Sequence, residues 1–158
     1  MKRFRLLPFL IILSLAAACD PDRFFEQQVA IPEGKWKLSE PATFTVEIPD
    51  TIQLYSFYLN IRNSVDYRYE NVFFFIRTLF PNQEIAIDTV ECLLANAEGR
   101  WYGSGWGKLK DNRLLFKRGV RFPQAGTYTF RIEQAMREDP LDGIYDIGLR
   151  IEHFRYEK

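Results

Sequence analysis

Apolar and polar positions along this chain fall into a succession of short alternating runs. From Tyr55 to Arg62 the apolar Tyr55, Phe57, Leu59 and Ile61 alternate with Ser56, Tyr58, Asn60 and Arg62, the period-two signature of a strand with one buried face. Thr43 to Ile48 follows the same pattern, and Phe24 to Ile31 predicts an edge strand before it. Val72 to Phe80 is apolar on both faces, which predicts a central strand covered on each side or touching a partner. Pro81-Asn82 then turns the chain into Ile85 to Leu94, giving a hairpin with a polar tip. Trp101 to Leu109 is glycine-rich, Lys110-Asp111-Asn112-Arg113 predicts a turn, and Leu114 to Lys117 resumes the strand. The run Phe122-Pro123-Gln124-Ala125-Gly126 sets a turn before a strand that points Tyr128, Phe130 and Ile132 inward, the tyrosine hydroxyl returning to backbone as at a sandwich corner. Gln134 to Gly143 breaks the alternation and contains Asp139-Pro140, so it predicts a long loop with at most one helical turn. Ile144 to Phe154 closes the series through Ile147, Leu149 and Ile151. Eight or so short strands separated by turn signals predict an all-β chain, an antiparallel β-sandwich of jelly-roll or immunoglobulin-like type in a single domain.

The first 18 residues stand outside that series. A basic start, Met1-Lys2-Arg3-Phe4-Arg5, an apolar run from Leu6 to Leu15 and the small triplet Ala16-Ala17-Ala18 lay out a bacterial secretion signal, too short to span a bilayer. Cys19 follows at once, where a lipobox places its acylated thiol. Ala16 stands where the usual lipobox has leucine, and Ala16-x-Ala18 also suits ordinary signal peptidase, which would leave Cys19 unmodified. The two outcomes differ physically, because each buried methylene is worth about 0.8 kcal/mol and two or three fatty chains of the palmitate kind hold a protein to a membrane where one does so only marginally. The predicted organisation is a lipoprotein signal peptide over 1–18, a lipidated N-terminus and short tether over 19–26, and the sandwich over 27–158. That tether reaches about 23 Å when fully extended, which keeps the domain close to the membrane.

Charge and composition narrow the classes of function. The 158 residues carry 21 basic and 21 acidic side chains, and loss of Lys2, Arg3 and Arg5 with the leader makes the mature chain mildly acidic. Such a balance argues against a nucleic-acid partner. High aromatic content favours strands. With Cys19 committed to lipid, Cys92 is a lone thiol, and alternation with Val90 and Leu94 places it inside as a structural residue. Two cysteines and the single His153 do not make a closed zinc site, and no acidic run has the spacing of a calcium loop. Neither a cofactor nor a catalytic constellation is expected, and the chain reads as a non-enzyme.

Two segments remain as candidate interaction surfaces. In Gly99-Arg100-Trp101-Tyr102-Gly103-Ser104-Gly105-Trp106-Gly107 the glycines bare the backbone while Trp101 and Trp106 offer flat apolar faces with a polar edge, suited to a sugar ring, a peptide or a protein. The plainer expectation is a twisted strand whose tryptophans pack across the core and whose glycines make room for them. In the loop from Gln134 to Gly143, Arg137 is placed either to grip a partner's carboxylate or to brace the loop through Asp142 or Asp146. Arg62, Tyr67 and Arg68 form a third polar-aromatic group, expected at a solvated hairpin tip.

The chain also resembles a known family. Asp88-Thr89 leading to Leu94-Ala95, Gly99-x-Trp101-x-Gly103-x-Gly105-x-Gly107, Phe122-Pro123-x-x-Gly126-x-Tyr128, Gln134-Ala135-Met136-Arg137 and Leu141-x-Gly143-Ile144-x-Asp146-Ile147-Gly148-x-Arg150-Ile151-Glu152 are together similar to the gliding motility lipoproteins GldH of the Bacteroidetes. The likeness runs from the signal and Cys19 to Glu152. It implies an outer-membrane, lipid-anchored protein of the cell envelope whose partners are other proteins of the gliding motility and type IX secretion machinery. It carries over one residue role, acylation of Cys19, and no catalytic residue. A glycan-binding lipoprotein using the Trp101 to Gly107 region is the rival expectation.

Overall fold

Ten strands and one 3-10 turn make up residues 20–155, the part of the chain that the computed structural model describes. The strands are β1 (Arg23–Ala30), β2 (Lys35–Trp36), β3 (Ala42–Ile48), β4 (Leu54–Ser64), β5 (Asn71–Leu79), β6 (Ile85–Leu93), β7 (Leu109–Arg121), β8 (Gly126–Gln134), β9 (Leu141–Asp142) and β10 (Ile144–His153), with the turn at Pro32–Gly34. One four-stranded sheet has the order β1-β10-β4-β7 and the other β3-β8-β5-β6, while β2 and β9 pair as a two-residue flap. The eight long strands pair as a folded-over hairpin would, β1 with β10, β3 with β8, β4 with β7 and β5 with β6, all antiparallel. Cross-pairs β10–β4 and β8–β5 complete the two sheets. Of the two sandwich types expected, this is the jelly roll.

Alternation explains why these segments are strands. Ala42, Phe44, Val46 and Ile48 of β3 are buried while Thr43, Thr45 and Glu47 are exposed, and the inward residues of both sheets meet in one core that includes Phe44, Leu59, Phe74, Tyr128 and Ile132. The Tyr128 hydroxyl donates to the Gln124 carbonyl at 2.8 Å, the sandwich corner that the sequence predicts. Cys92 is free and 1 % exposed, as expected, and burial, with a smaller push from Glu91, raises its thiol to about 12.

Five expectations change. Lys110 to Arg113 is not a turn but the start of β7, because its polar groups are satisfied across the sheet: Asn112 Nδ2 donates to Asn63 Oδ1 at 2.8 Å, and Asp111 accepts from Arg62 Nε at 2.6 Å. The glycine-rich run before it is loop, touching strands only through the bridges Ala95↔Trp101 and Ser104↔Asp111. β5 is central in its sheet but covered on one face, so that Phe75 is 39 % exposed. The Gln134 to Gly143 segment has no helical turn and contributes β9. Finally β1 begins at Arg23, so residues 23–26, expected in the tether, are paired with β10.

Strict antiparallel pairing sorts the loops to two ends. Segments 31–41, 65–70, 94–108 and 135–140 gather at one end, held by bonds such as Leu38 N–H to Asp139 Oδ1 (2.9 Å) and Leu94 N–H to the Glu70 carbonyl (2.7 Å). The start of β1, loops 49–53, 80–84 and 122–125, and residues 154–155 lie at the other, where His153 N–H donates to the Asp22 carbonyl and Phe154 N–H to that of Leu54.

Candidate interaction surfaces at the two ends of the sandwich

Trp101 and Arg137 both belong to the loop end. Trp101 is half-buried against the core and lines a cleft of about 470 Å³ with Tyr67, Tyr69, Asn71 and Ala95. One carbonyl positions it: Glu70 accepts from both Leu94 and Ala95 N–H, at 2.7 and 3.0 Å, clamping the 94–101 loop against the 67–71 turn. Tyr67 and Tyr69 meet edge to face at 5.6 Å, and the Tyr67 hydroxyl donates to the Asn71 carbonyl at 3.0 Å. Burial raises the Tyr67 pKa, and a hydrogen bond to Glu138 raises that of Tyr69. Glu138 also accepts from Arg68 at 3.3 Å. It therefore ties the loop that carries Arg137 to the tyrosine turn. Arg137 itself is exposed and braces neither Asp142 nor Asp146, because Asp146 is taken by Arg62 at 3.3 Å. Arg68 is exposed in the expected loop, whereas Tyr67 beside it is buried in the core, where Asn71 takes its hydroxyl bond, and Arg62 lies within β4 on the sheet.

Trp106, in the same end loop, neither lines that cleft nor packs in the core, being 101 % exposed. The loop around it folds onto β7 instead. Ser104 and Asp111 exchange backbone bonds at 3.0 and 2.7 Å, and Lys110 Nζ donates to the Gly105 carbonyl at 2.9 Å. Two of the glycines make room for β7 rather than for tryptophan, since a Cβ at Gly103 would meet the Asn112 side chain at 2.8 Å and one at Gly105 the Leu109 carbonyl at 2.8 Å, whereas Gly99 and Gly107 face open space. The two tryptophans therefore do not form one platform, since Trp101 packs on the core and lines the cleft while Trp106 does neither.

Sequence reasoning missed the charged ladder on the outer face of the β1-β10-β4-β7 sheet. Arg150 is 3 % exposed and donates to Glu152 (2.5 Å), Glu26 (2.6 Å) and Asp20. Arg113 donates to Asn60 at 3.1 Å and to Glu26 at 3.2 Å, and Arg62 joins Asp111 to Asp146. A polar cleft of about 390 Å³ lies along Gln28, Asn60, Arg62, Asp111 and Arg113. The available signal was the alternation of Asp146, Gly148, Arg150 and Glu152 with apolar residues in one strand. Hydrogen bonding to Arg150 lowers the Asp20 pKa. For Glu26 burial pushes upward, but the contacts with Arg150, Asn60 and Arg113 outweigh it and the net shift is downward.

The start of β1 lies at the other end. Cys19 and the signal segment lie outside the described residues, and Asp20, the next residue, is bonded to Arg150. His153 there packs against the rings of Phe24 and Tyr55, each 5.4 Å away. Among the described residues no group of three or more His, Cys, Asp or Glu side chains is placed to hold a metal ion, and no helix is long and apolar enough to cross a membrane.

Residues 23–151 match the family described as GldH lipoprotein. A gliding motility lipoprotein GldH homolog of Christiangramia forsetii is 33 % identical over 156 residues, covering 94 % of this chain and 95 % of that protein. Gliding motility lipoprotein GldH of Flavobacterium johnsoniae is 32 % identical over 152 residues, covering 89 % and 94 %. Among solved structures, an arabinose-bound α-L-arabinofuranosidase aligns over 84 % of this chain and 21 % of its own at TM-score 0.37 and 13 % identity, which carries no argument.

Proposed function

The chain belongs to the GldH lipoprotein family, and from that membership we propose that it is a motility-associated lipoprotein of the cell envelope, acting without catalysis as an interaction component of the gliding motility and type IX secretion machinery. Acyl chains on Cys19 hold it to the outer membrane, and other envelope proteins of the machinery are its partners. The observation that supports this reading most is the opposition of the two ends. The strand that follows Cys19 starts at one, while the Trp101 cleft and Arg137 lie at the other, turned toward whatever stands away from the membrane.

The test is in-cell photocrosslinking with a reactive residue at Arg137 or Tyr69 and, as control, at Thr45 on an outer sheet face. Specific envelope proteins are expected from the first two positions. The same abundant bystanders from all three would overturn the proposal. Mass spectrometry of the mature N-terminus tests the anchor, since an unmodified Cys19 removes it.

A second reading, a glycan-binding lipoprotein, has one observation in its favour: Trp106 stands wholly exposed, and an indole offers a flat apolar face with a hydrogen-bonding edge. Polysaccharide fragments should then shift the fluorescence of the protein and leave a Trp106→Ala variant unchanged. A flat response across a broad panel excludes it.

A further inference from the structure

The two sheets part along one side, where the edge strands β6 and β7 face each other without pairing. A cleft of about 360 Å³ opens there between them, within the roughly 300–1,000 Å³ of ligand clefts. Its lining is apolar and mostly aromatic: Phe116 and Val120 of β7 are half-buried at its edge, and Phe57, Ile76, Tyr128 and Phe130, buried in the core, make its floor. Charge is confined to three residues. Asp88 of β6 is bonded to Lys117 of β7 at 2.6 Å, and Arg121 is exposed with no partner among the described residues.

The gap has a cause in β7. Pairing with β4 slips twice, between Tyr55 and Phe57 and again between Phe57 and Tyr58, so β7 carries an extra residue at each slip. Gly119 takes φ +64 at the first. Bulges of this kind bend a strand and re-aim its side chains. Here they bring Phe116 and Val120 to the cleft wall while Lys117 and Arg121 stay with it on the same strand.

Position supplies the remaining argument. Phe80 and Phe122-Pro123, which lie at the end of the sandwich where β1 starts, also line the cleft. A row of ring contacts joins it to the strand that follows Cys19: Phe24 to Tyr55 at 5.0 Å, Tyr55 to Phe122 at 5.4 Å and Phe122 to Tyr128 at 4.6 Å. An apolar slot with a cationic rim, set at the membrane-side end of a lipid-anchored domain, matches one class of ligand. We propose that this cleft takes the acyl chain of an anionic membrane lipid, with the chain between the sheets and the head group on Arg121 and Lys117. The placement beside a membrane rests on the proposed anchor, whereas the slot and its rim do not.

The test uses the full lipidated protein in vesicles that contain either phosphatidylglycerol or phosphatidylcholine bearing a diazirine on one acyl chain. After irradiation, peptides are mapped by mass spectrometry. The anionic lipid is expected to label the peptides that hold Phe116, Val120 and Phe122. Ala86→Trp, which fills the mouth from the edge strand β6, should abolish that label while the melting curve stays in place. Arg121→Glu should weaken anionic labelling roughly tenfold, the effect of losing one charge-assisted hydrogen bond, and leave the weak neutral labelling unchanged. Equal labelling by both lipids, label spread over the outer faces, or none at the cleft overturns the proposal. Mass spectrometry of the same sample reads acylation of Cys19 separately, so failure of the anchor and failure of the cleft are told apart.

Discussion

Arg150 sits at the middle of a sheet face with almost no contact with water, and three carboxylates surround it. Such a group is costly to remove, because its partners keep their charges. Arg150→Met should destabilise the domain by about 2–3 kcal/mol in urea unfolding, less than for a fully buried pair because the carboxylates keep some water. The pH dependence has a definite sign. Asp20 and Glu26 have folded pKa values below their ordinary ones, so their contribution is present above roughly pH 4 and is lost as acid takes the pH down through the lowered values. Arg150→Met should flatten that acid limb; an unchanged limb would mean other carboxylates set it. Tyr128 is a smaller case, in which Tyr128→Phe removes one buried hydroxyl bond to Gln124 and should cost about 1 kcal/mol. Cys92, with its thiol raised to about 12, should resist maleimide at pH 8 until the protein is unfolded, and rapid native labelling would contradict its burial.

At the scale of elements, β3 and β8 were legible because each buries one face and leaves the other largely wet. β4 and β10 were legible because apolar and polar residues alternate along them, even though Asn60 and Arg150 on the polar face are buried as well. β7 was not. Its polar opening is solvated by partners on the neighbouring strand rather than by water, and composition alone does not distinguish the two. The same reason hid the Arg150 ladder, whose members are spread over β1, β4, β7 and β10 and meet only through pairing. Trp101 fell where expected, against the core, whereas Trp106 did not, because the loop follows β7 and not the sandwich interior. β7 also offers a test of its bulge. A side chain at Gly119 meets nothing closer than 3.6 Å but must adopt φ +64, so Gly119→Ala should cost about 1–2 kcal/mol by denaturant unfolding, and no cost would mean that the bulge relaxes.

The described part of the molecule has one end where β1 starts and one that holds its longest loops. Between the proposed lipid and the first sheet hydrogen bonds there is almost no free chain, since Asp20 is bonded to Arg150 and pairing starts at Arg23. Trypsin acting on the protein in vesicles should therefore leave Arg23 uncut and the domain on the membrane until the sandwich unfolds. Release as fast as from a protein with an added flexible linker would show that this segment is loose.

The position of β10 between β1 and β4 also sets the order in which the fold becomes possible. A chain that crosses a membrane N-terminus first delivers β1 and β4 long before residues 144–153, so one whole sheet lacks its middle strand until the end of translocation. In that interval two strands with raw edges and one unburied face each are ready to pair with anything similar. Until β10 arrives that sheet can form only its β4–β7 pair, so a chain delivered in this order completes the β1-β10-β4-β7 sheet only with its last long strand.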